Sequence, residues 1–294
     1  MQATVFMIRQ FVTAVVIVIL SVTWSCAPNP FETTAFEYRV FPSLTYRTAG
    51  EWTGKLDLYV HPKARDKPTL LWIHGGGWTG GSKEEDALFV LPYLEGGWSV
   101  ASVEYRLAST AVAPAAVEDC RCALAWLLRN AANYGVSTER VVISGISAGG
   151  HLALTTAGLY APEASECRIP AGFKPAAVIN WYGPSDLSEL AFGGDPFDPA
   201  VEWISGQKEI AALVSPLHSV SVSVPPVLTV HGTADDVIPY SQSVRLHEAL
   251  SNAGVPNQLV TIEGAHHGDF TAAQIGRAYA AVRSFLRARR AALD

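Results

Sequence analysis

The chain has 294 residues, of which 49% are hydrophobic and 16% charged, and its formal net charge is −6 at pH 7. This composition is far too apolar for a disordered chain and is sufficient for a large buried core. A mildly acidic chain without a long basic run has no surface suited to phosphate backbones, so we expect no nucleic-acid partner. Four cysteines without a C-x-x-C pair exclude a disulfide-built scaffold and give no sign of a zinc site.

The N-terminal residues have the pattern of an export signal. An apolar run at residues 11–22 is too short to span a bilayer comfortably but has the length of a signal-peptide core. The run is followed by Thr23-Trp24-Ser25-Cys26, which resembles a bacterial lipobox in which Cys26 is lipidated. Ordinary signal cleavage at the same bond and an uncleaved anchor are the alternatives.

All three interpretations of the N-terminus export the protein. We therefore expect a signal peptide at residues 1–25, a tether at residues 26–35 and a folded domain at residues 36–294. The expected location is the bacterial periplasm or, as a lipoprotein, the outer membrane or cell surface; free secretion is the alternative. Membrane contact is expected only through the lipid anchor.

The folded domain alternates apolar strands with amphipathic helices. The near-continuous apolar stretch at residues 69–73 is typical of a parallel strand covered on both faces. The full set of predicted strands is 36–41, 55–61, 69–73, 99–104, 140–144, 176–181, 227–230 and 258–262, and the predicted helices are 114–134, 147–160, 241–253 and 272–290. This alternation predicts a single α/β domain with a mostly parallel central sheet and helices on both faces.

One segment interrupts the alternation. Residues 184–224, about 40 residues rich in Gly, Pro and Ser, separate two predicted strands. We expect a lid-like or cap-like excursion over the carboxyl edge of the sheet, where ligands of such folds bind.

A G-x-S-x-G motif, Gly145-Ile146-Ser147-Ala148-Gly149, lies between a predicted strand and a predicted helix. This context is that of a nucleophile elbow, in which the glycines permit a turn too tight for side chains and the serine is exposed above the sheet. Ser147 is therefore the predicted nucleophile.

A second motif, His74-Gly75-Gly76-Gly77-Trp78, directly follows the strand at residues 69–73. Consecutive glycines leave backbone N–H groups free to turn toward an oxyanion. We expect the N–H groups of Gly76, Gly77 and Ala148 to form the oxyanion hole. Trp78, beside this loop, and Trp203, in the excursion, are expected to line a substrate pocket.

The segment His231 to Pro239 follows the strand at residues 227–230 and supplies the candidate acid. A carboxylate there can reach across the top of the sheet, hydrogen-bond a histidine and stabilise its imidazolium. Asp235 is the preferred candidate over Asp236, and Asp186 is a minor rival.

The candidate base follows both serine and acid in chain order. His247, His266 and His267 satisfy this order. His247 lies within a predicted helix, whereas the other two follow the last strand in a loop. His267, directly before Gly268, is preferred over His266.

Together these motifs resemble the carboxylesterases of the α/β-hydrolase fold, in the group that joins hormone-sensitive-lipase-like with feruloyl-esterase-like enzymes. The resemblance implies an α/β-hydrolase fold and a Ser147, His267, Asp235 triad that needs no metal or organic cofactor. It implies a serine carboxylesterase, which the N-terminal signal makes an exported one, and we expect it to act on a small-molecule or glycan ester, such as an acetyl or feruloyl ester. An amidase, a peptidase or an arylformamidase-like hydrolase using the same triad is the alternative.

Two of the cysteines, Cys120 and Cys122, lie two residues apart on a predicted helix. Their side chains point in nearly opposite directions and cannot share a metal ion. We expect both to be buried. Export also allows a disulfide between Cys120 and Cys167 as the alternative to free thiols.

Overall fold

The computed structural model describes residues 37–160 and 167–289. The predicted signal peptide at residues 1–25, the tether at residues 26–35 and the lipidation site Cys26 lie outside these ranges. No helix within them is long and apolar enough to cross a membrane.

The centre of the structure is an eight-stranded sheet. Its strands are β1 Arg39–Ala49, β2 Trp52–Val60, β3 Thr69–Ile73, β4 Ser99–Val103, β5 Val141–Ile146, β6 Ala177–Trp181, β7 Val227–Gly232 and β8 Asn257–Ile262. The helices are α1 Ala87–Glu95, α2 Ala115–Asn130, α3 Ala148–Thr156, α4 Leu187–Phe192, α5 Asp198–Ile204, α6 Lys208–Leu213, α7 Tyr240–Asn252 and α8 Ala272–Ala288, with short 3-10 turns at Ala131–Tyr134 and Pro216–Ser219.

The strand order across the sheet is β1-β2-β4-β3-β5-β6-β7-β8. The first two strands pair antiparallel with each other, and β2 pairs antiparallel with β4, whereas every later neighbour is parallel. The carboxyl ends of β5, β6, β7 and β8 therefore meet at one edge of the sheet. The loops that leave this edge carry the three residues of the predicted triad, Ser147, Asp235 and His267.

Both faces of the sheet are buried along β3, β4, β6 and β7, as predicted, whereas the edge strand β1 is largely exposed. Along β3, Leu71 and Ile73 join a core shared with α2 and α3, whereas Leu70 and Trp72 join a second core with α1 and α8. Since successive strand residues point to opposite faces, a near-continuously apolar strand is what two helical layers require. The predicted mostly parallel sheet with helices on both faces is confirmed.

The helices that sequence periodicity did not predict are short or uniformly apolar. Helix α1 has only a weak polar face and contains Pro92. The segment predicted as an irregular excursion holds α4, α5 and α6, each six or seven residues long. Helices of this length are too short for a 3.6-residue pattern to repeat, so their sequences resemble a loop.

A disulfide joins α2 to the loop after α3. It links Cys122 with Cys167, whose Cα atoms are 5.0 Å apart, and Cys120 is a buried free thiol. The predicted alternative, a Cys120–Cys167 bridge, is therefore wrong. Residues two apart on a helix point in different directions, so only one of the two thiols faces Cys167.

Candidate active site

Ser147 occupies the sharp turn between β5 and α3. Its φ of +51° is in a region that side chains other than glycine rarely adopt, and its N–H donates to the Trp181 carbonyl at 2.9 Å. A Cβ at Gly145 would lie 2.4 Å from the Ile73 carbonyl oxygen, and one at Gly149 would lie 2.1 Å from the same oxygen. Both flanking glycines are thus required by backbone that passes directly against the turn.

His267 bridges Ser147 and Asp235. Its Nε2 lies 2.9 Å from Oγ of Ser147, and its Nδ1 lies 2.8 Å from Oδ2 of Asp235. Because Nδ1 faces a carboxylate oxygen, it carries the proton, and Nε2 is left to accept the serine O–H. The structure brings together the three residues predicted as a triad.

The Asp235 carboxylate is held from both sides. Its Oδ1 accepts the N–H groups of Val237 at 2.9 Å and Ile238 at 2.8 Å, while Oδ2 accepts hydrogen bonds from His231 and His267. Burial opposes its ionisation, but the hydrogen bonds from His231 and His267 outweigh that effect and hold the pKa of Asp235 well below its usual range. The carboxylate is therefore an anion at neutral pH, and it lies directly behind His267.

The rival candidates lie elsewhere. The Asp236 side chain is 71% exposed and faces His266, 58% exposed, at 3.6 Å. Asp186 caps α4 through the Glu189 N–H and pairs with Arg245 at 3.2 Å. His247 is on α7, with Nδ1 2.8 Å from Oδ1 of Asn257. None of these contacts involves Ser147.

The loop after β3 places two glycines beside Ser147. Gly76 and Gly77 have φ angles of +109° and +60°, and both line the cavity above the serine. Within residues 37–160 and 167–289, the backbone N–H groups of Gly76, Gly77 and Ala148 donate to no protein acceptor. Ala148 is the first residue of α3, where a helix leaves its N–H groups free. These three N–H groups are available to a ligand oxygen.

Side chains that sequence reasoning missed hold this loop from behind. The Asp86 carboxylate accepts the Gly75 N–H at 3.3 Å and the Trp72 indole N–H at 3.2 Å, and burial raises the pKa of Asp86. The Tyr105 hydroxyl donates to the carbonyl oxygens of His74 and Gly75 at 3.1 and 3.2 Å. Nothing in the spacing of these residues signals the contacts, because each comes from a different loop or strand end.

The cavity above Ser147 has a volume of about 360 Å³. Its walls are Gly75, Gly76, Gly77, Ile146, Ser147, Tyr182, Phe197, Pro199, Val237 and His267. Phe197 and Pro199 come from the excursion, which therefore forms one wall. The base of the excursion is fixed by the fully buried Gln242 of α7, whose Oε1 accepts the N–H groups of Ser185 and Asp186, both at 2.9 Å.

Trp78 and Trp203, predicted to line the pocket, do not. Their rings stack on each other with centroids 4.8 Å apart and are 1% and 0% exposed. The Trp78 indole N–H donates to Nδ1 of His151 at 3.3 Å, and burial lowers the pKa of that histidine to about 4. The prediction relied on the position of the two residues in the chain, beside the glycine loop and within the excursion. Position in the chain does not decide where a side chain points, and both rings point into the core.

Tyr182 lines the cavity although no sequence motif identified it as a site residue. It follows β6 with a φ of +41°, and its ring lies edge-on to His267 with centroids 4.8 Å apart. Desolvation raises its pKa, so its hydroxyl stays protonated. Tyr182 therefore packs against the His267 ring inside the cavity.

The described ranges contain no group of three His, Cys, Asp or Glu side chains placed to hold a metal ion.

A family model gives the first comparison. The BD-FAE model matches residues 56–250, which include Ser147 and Asp235. Esterase LipQ of Mycobacterium tuberculosis is 30% identical over 236 residues, covering 75% of this chain and 55% of LipQ. The chain thus spans about half the length of the curated relatives it matches.

Solved structures give the second comparison. Thermogutta terrifontis esterase 2 phosphonylated by sarin has a TM-score of 0.74 and 26% identity, with 88% of this chain and 96% of that chain covered. A bifunctional GH43-CE protein of Bacteroides eggerthii has a TM-score of 0.69 and 26% identity, with 84% of this chain and 38% of that chain covered. The predicted α/β-hydrolase fold is confirmed by these likenesses.

Proposed function

The chain belongs to the BD-FAE family, and we propose that it is an exported serine carboxylesterase that hydrolyses small acyl esters. The observation that carries this proposal is the hydrogen-bonded series Ser147, His267 and Asp235 at the floor of an open cavity, with contacts of 2.9 and 2.8 Å. Relatives named as esterases, LipQ and LipC of Mycobacterium tuberculosis, support the same activity.

In the proposed reaction, Ser147 Oγ attacks the ester carbonyl while its proton passes to Nε2 of His267. The Asp235 anion stabilises the imidazolium that forms. His267 then returns the proton to the departing alcohol, leaving an acyl group on Ser147. Water then attacks the acyl carbonyl while it loses a proton to His267. His267 returns this proton to Oγ of Ser147 as the bond between Oγ and the acyl carbon breaks, which releases the carboxylic acid and the free serine.

The tetrahedral intermediate carries its negative charge on the former carbonyl oxygen. The N–H groups of Gly76, Gly77 and Ala148, which have no acceptor in the described protein, are proposed to receive that oxygen. Donors fixed in advance need no reorganisation when the charge develops, and each is worth roughly 10²- to 10³-fold in turnover.

The walls of the cavity suit a short acyl group. Ile146, Phe197, Pro199 and Val237 make the lining largely apolar, and the volume of about 360 Å³ is at the low end for ligand pockets. We propose acetyl esters as the first substrate class. The larger feruloyl group would require the Phe197 side chain to move out of the cavity. Glycan esters are proposed as natural substrates because an exported hydrolase meets polymers outside the cytoplasm.

Export is supported by two independent features. The apolar run at residues 11–22 is followed by a lipobox-like segment that ends at Cys26. The domain also contains a Cys122–Cys167 disulfide. Disulfides form and persist mainly in oxidising compartments outside the cytoplasm.

Export is tested by expressing the full chain and its Cys26→Ala variant in a bacterium, followed by fractionation and intact mass measurement. We expect the parent chain in the detergent phase, with the mass of a chain that begins at a lipidated Cys26, and the variant outside that phase. Recovery of both chains uncleaved in the cytoplasm would overturn the export proposal.

The esterase activity is tested with p-nitrophenyl esters from acetate to laurate, alongside Ser147→Ala and the matched pair His267→Ala and His266→Ala. Activity should peak at short acyl chains, disappear with Ser147→Ala and His267→Ala, and survive His266→Ala. Treatment with an organophosphate should place the adduct on Ser147. Faster cleavage of the matched p-nitroanilides than of the esters would favour the amidase alternative.

A further inference from the structure

A second histidine contacts the Asp235 carboxylate from the protein interior. His231, at the carboxyl end of β7, is 0% exposed, and its Nε2 lies 3.1 Å from Oδ2 of Asp235. The same oxygen receives Nδ1 of His267 at 2.8 Å from the cavity side. Two imidazoles therefore share one carboxylate oxygen, and the proposed reaction uses only one of them.

The partners of His231 determine where its proton lies. Nε2 faces two acceptors, Oδ2 of Asp235 and the Ile238 carbonyl oxygen at 3.0 Å, so this nitrogen must carry a hydrogen. On the other side of the ring, Nδ1 lies 2.6 Å from Oγ of Ser243. In the neutral ring Nδ1 accepts the Ser243 O–H, which selects the tautomer that donates to Asp235.

His231 also holds the backbone that binds the other carboxylate oxygen. Its Nε2–H contacts the Ile238 carbonyl, while the N–H groups of Val237 and Ile238 donate to Oδ1 of Asp235 at 2.9 and 2.8 Å. One imidazole thus restrains Oδ2 directly and Oδ1 through the segment 237–238. Since the Asp235 side chain is 0% exposed, bulk water has no access to replace a lost donor.

We propose that His231 is a positioning residue for the reaction, which fixes Oδ2 of Asp235 in hydrogen-bonding reach of His267 and is itself held in the required tautomer by Ser243. This inference rests on the proposed triad. His231 touches no reacting atom and acts only through Asp235. A misplacement of about 1 Å in such an arrangement costs on the order of 10²-fold in turnover.

Two substitutions of similar polarity distinguish the roles of the two ring nitrogens of His231. His231→Gln places an amide N–H where Nε2 was, so it can still donate to Asp235. His231→Asn places its amide where Nδ1 was, in reach of Ser243 but not of Asp235. We expect kcat to fall roughly 10- to 100-fold in the Asn variant with KM unchanged, and to stay within about fivefold of the parent in the Gln variant. Equal Tm losses in the two variants would show that folding does not explain the difference.

A measurement that needs no turnover accompanies the kinetics. The Nδ1–H proton of His267, hydrogen-bonded to Asp235, should give a low-field NMR resonance. This resonance is assigned by its absence from the spectrum of the His267→Ala variant. We expect this resonance in the parent and in His231→Gln, and its upfield shift or loss in His231→Asn. An Asn variant that keeps both the resonance and the parent kcat would overturn the proposal. If the resonance behaves as expected in the parent and in both variants but the parent cleaves no ester, the result would count against the esterase function. It would still support the positioning of Asp235 by His231.

Discussion

Oγ of Ser147 and Nε2 of His267 lie 2.9 Å apart although 120 residues separate them in the chain. Ser147 follows β5 and His267 follows β8, so β6 and β7 run between them in the sheet. The two loops meet because parallel strands deliver their carboxyl ends to one edge. The loops after β6 and β7, which carry Tyr182 and Asp235, leave the same edge of the sheet.

The choice of acid can be tested with two neighbouring residues. Asp235→Asn keeps the size of the side chain but presents an amide to Nδ1 of His267, which favours the wrong tautomer, and we expect kcat to fall about 10⁴-fold. Asp236→Asn alters a carboxylate that is 71% exposed and should leave kcat nearly unchanged. Steady-state kinetics with p-nitrophenyl acetate compares the two, and the opposite ranking would assign the acid to Asp236.

The glycine loop gives a second prediction. Gly77 has a φ of +60°, and a Cβ there would lie 2.8 Å from Cβ of Pro199, so Gly77→Ala must displace the loop. We expect a loss of roughly 10²- to 10³-fold in kcat, as for an oxyanion donor. Gly194→Ala, where a Cβ meets nothing within 4 Å, is the control. A Gly77→Ala enzyme with parental kcat would remove this loop from the oxyanion hole.

The length of the acyl group should depend on Phe197, which lines the cavity. Phe197→Ala opens this wall, and each additional buried CH₂ of the acyl chain contributes about 0.8 kcal/mol. We expect the ratio of kcat/KM for p-nitrophenyl butanoate over acetate to rise about 15-fold, for two CH₂ groups. The control is Phe192→Ala, which alters a ring that is 37% exposed and outside the cavity lining. An unchanged ratio in Phe197→Ala would mean that the acyl group lies against another wall.

The disulfide should contribute strongly to the stability of the domain. Cys122 and Cys167 are separated by 45 residues, and closing a loop of that length lowers the unfolded-state entropy enough to stabilise the fold by about 4 kcal/mol. Urea unfolding of the double variant Cys122→Ser, Cys167→Ser should show a loss of this order. Reductant should destabilise the parent and have no effect on the double variant; a parent indifferent to reductant would contradict the pairing.

Local sequence determined the parts of this protein whose physics is local. The strand Thr69–Ile73 is found with its predicted bounds, because burial on both faces favours a near-continuous run of apolar residues, here Leu70 to Ile73. Gly145 and Gly149 predicted the turn at Ser147, because backbone only 2.1 to 2.4 Å from a Cβ position admits no other residue. Chain order then restricted the acid and the base to a few residues each.

Only the tertiary structure decided which side chains face the site. Trp78 is next to Gly77 in the chain, yet its ring stacks in the core, while Tyr182 and Phe197, from distant loops, line the cavity. Cys122 rather than Cys120 reaches Cys167, because the rotation of α2 sets which thiol faces the loop. Likewise, His231 contacts Asp235 from behind through a turn that no periodicity reveals. Such contacts depend on the mutual placement of elements, which is set by packing across the whole domain and not by residue spacing along the chain.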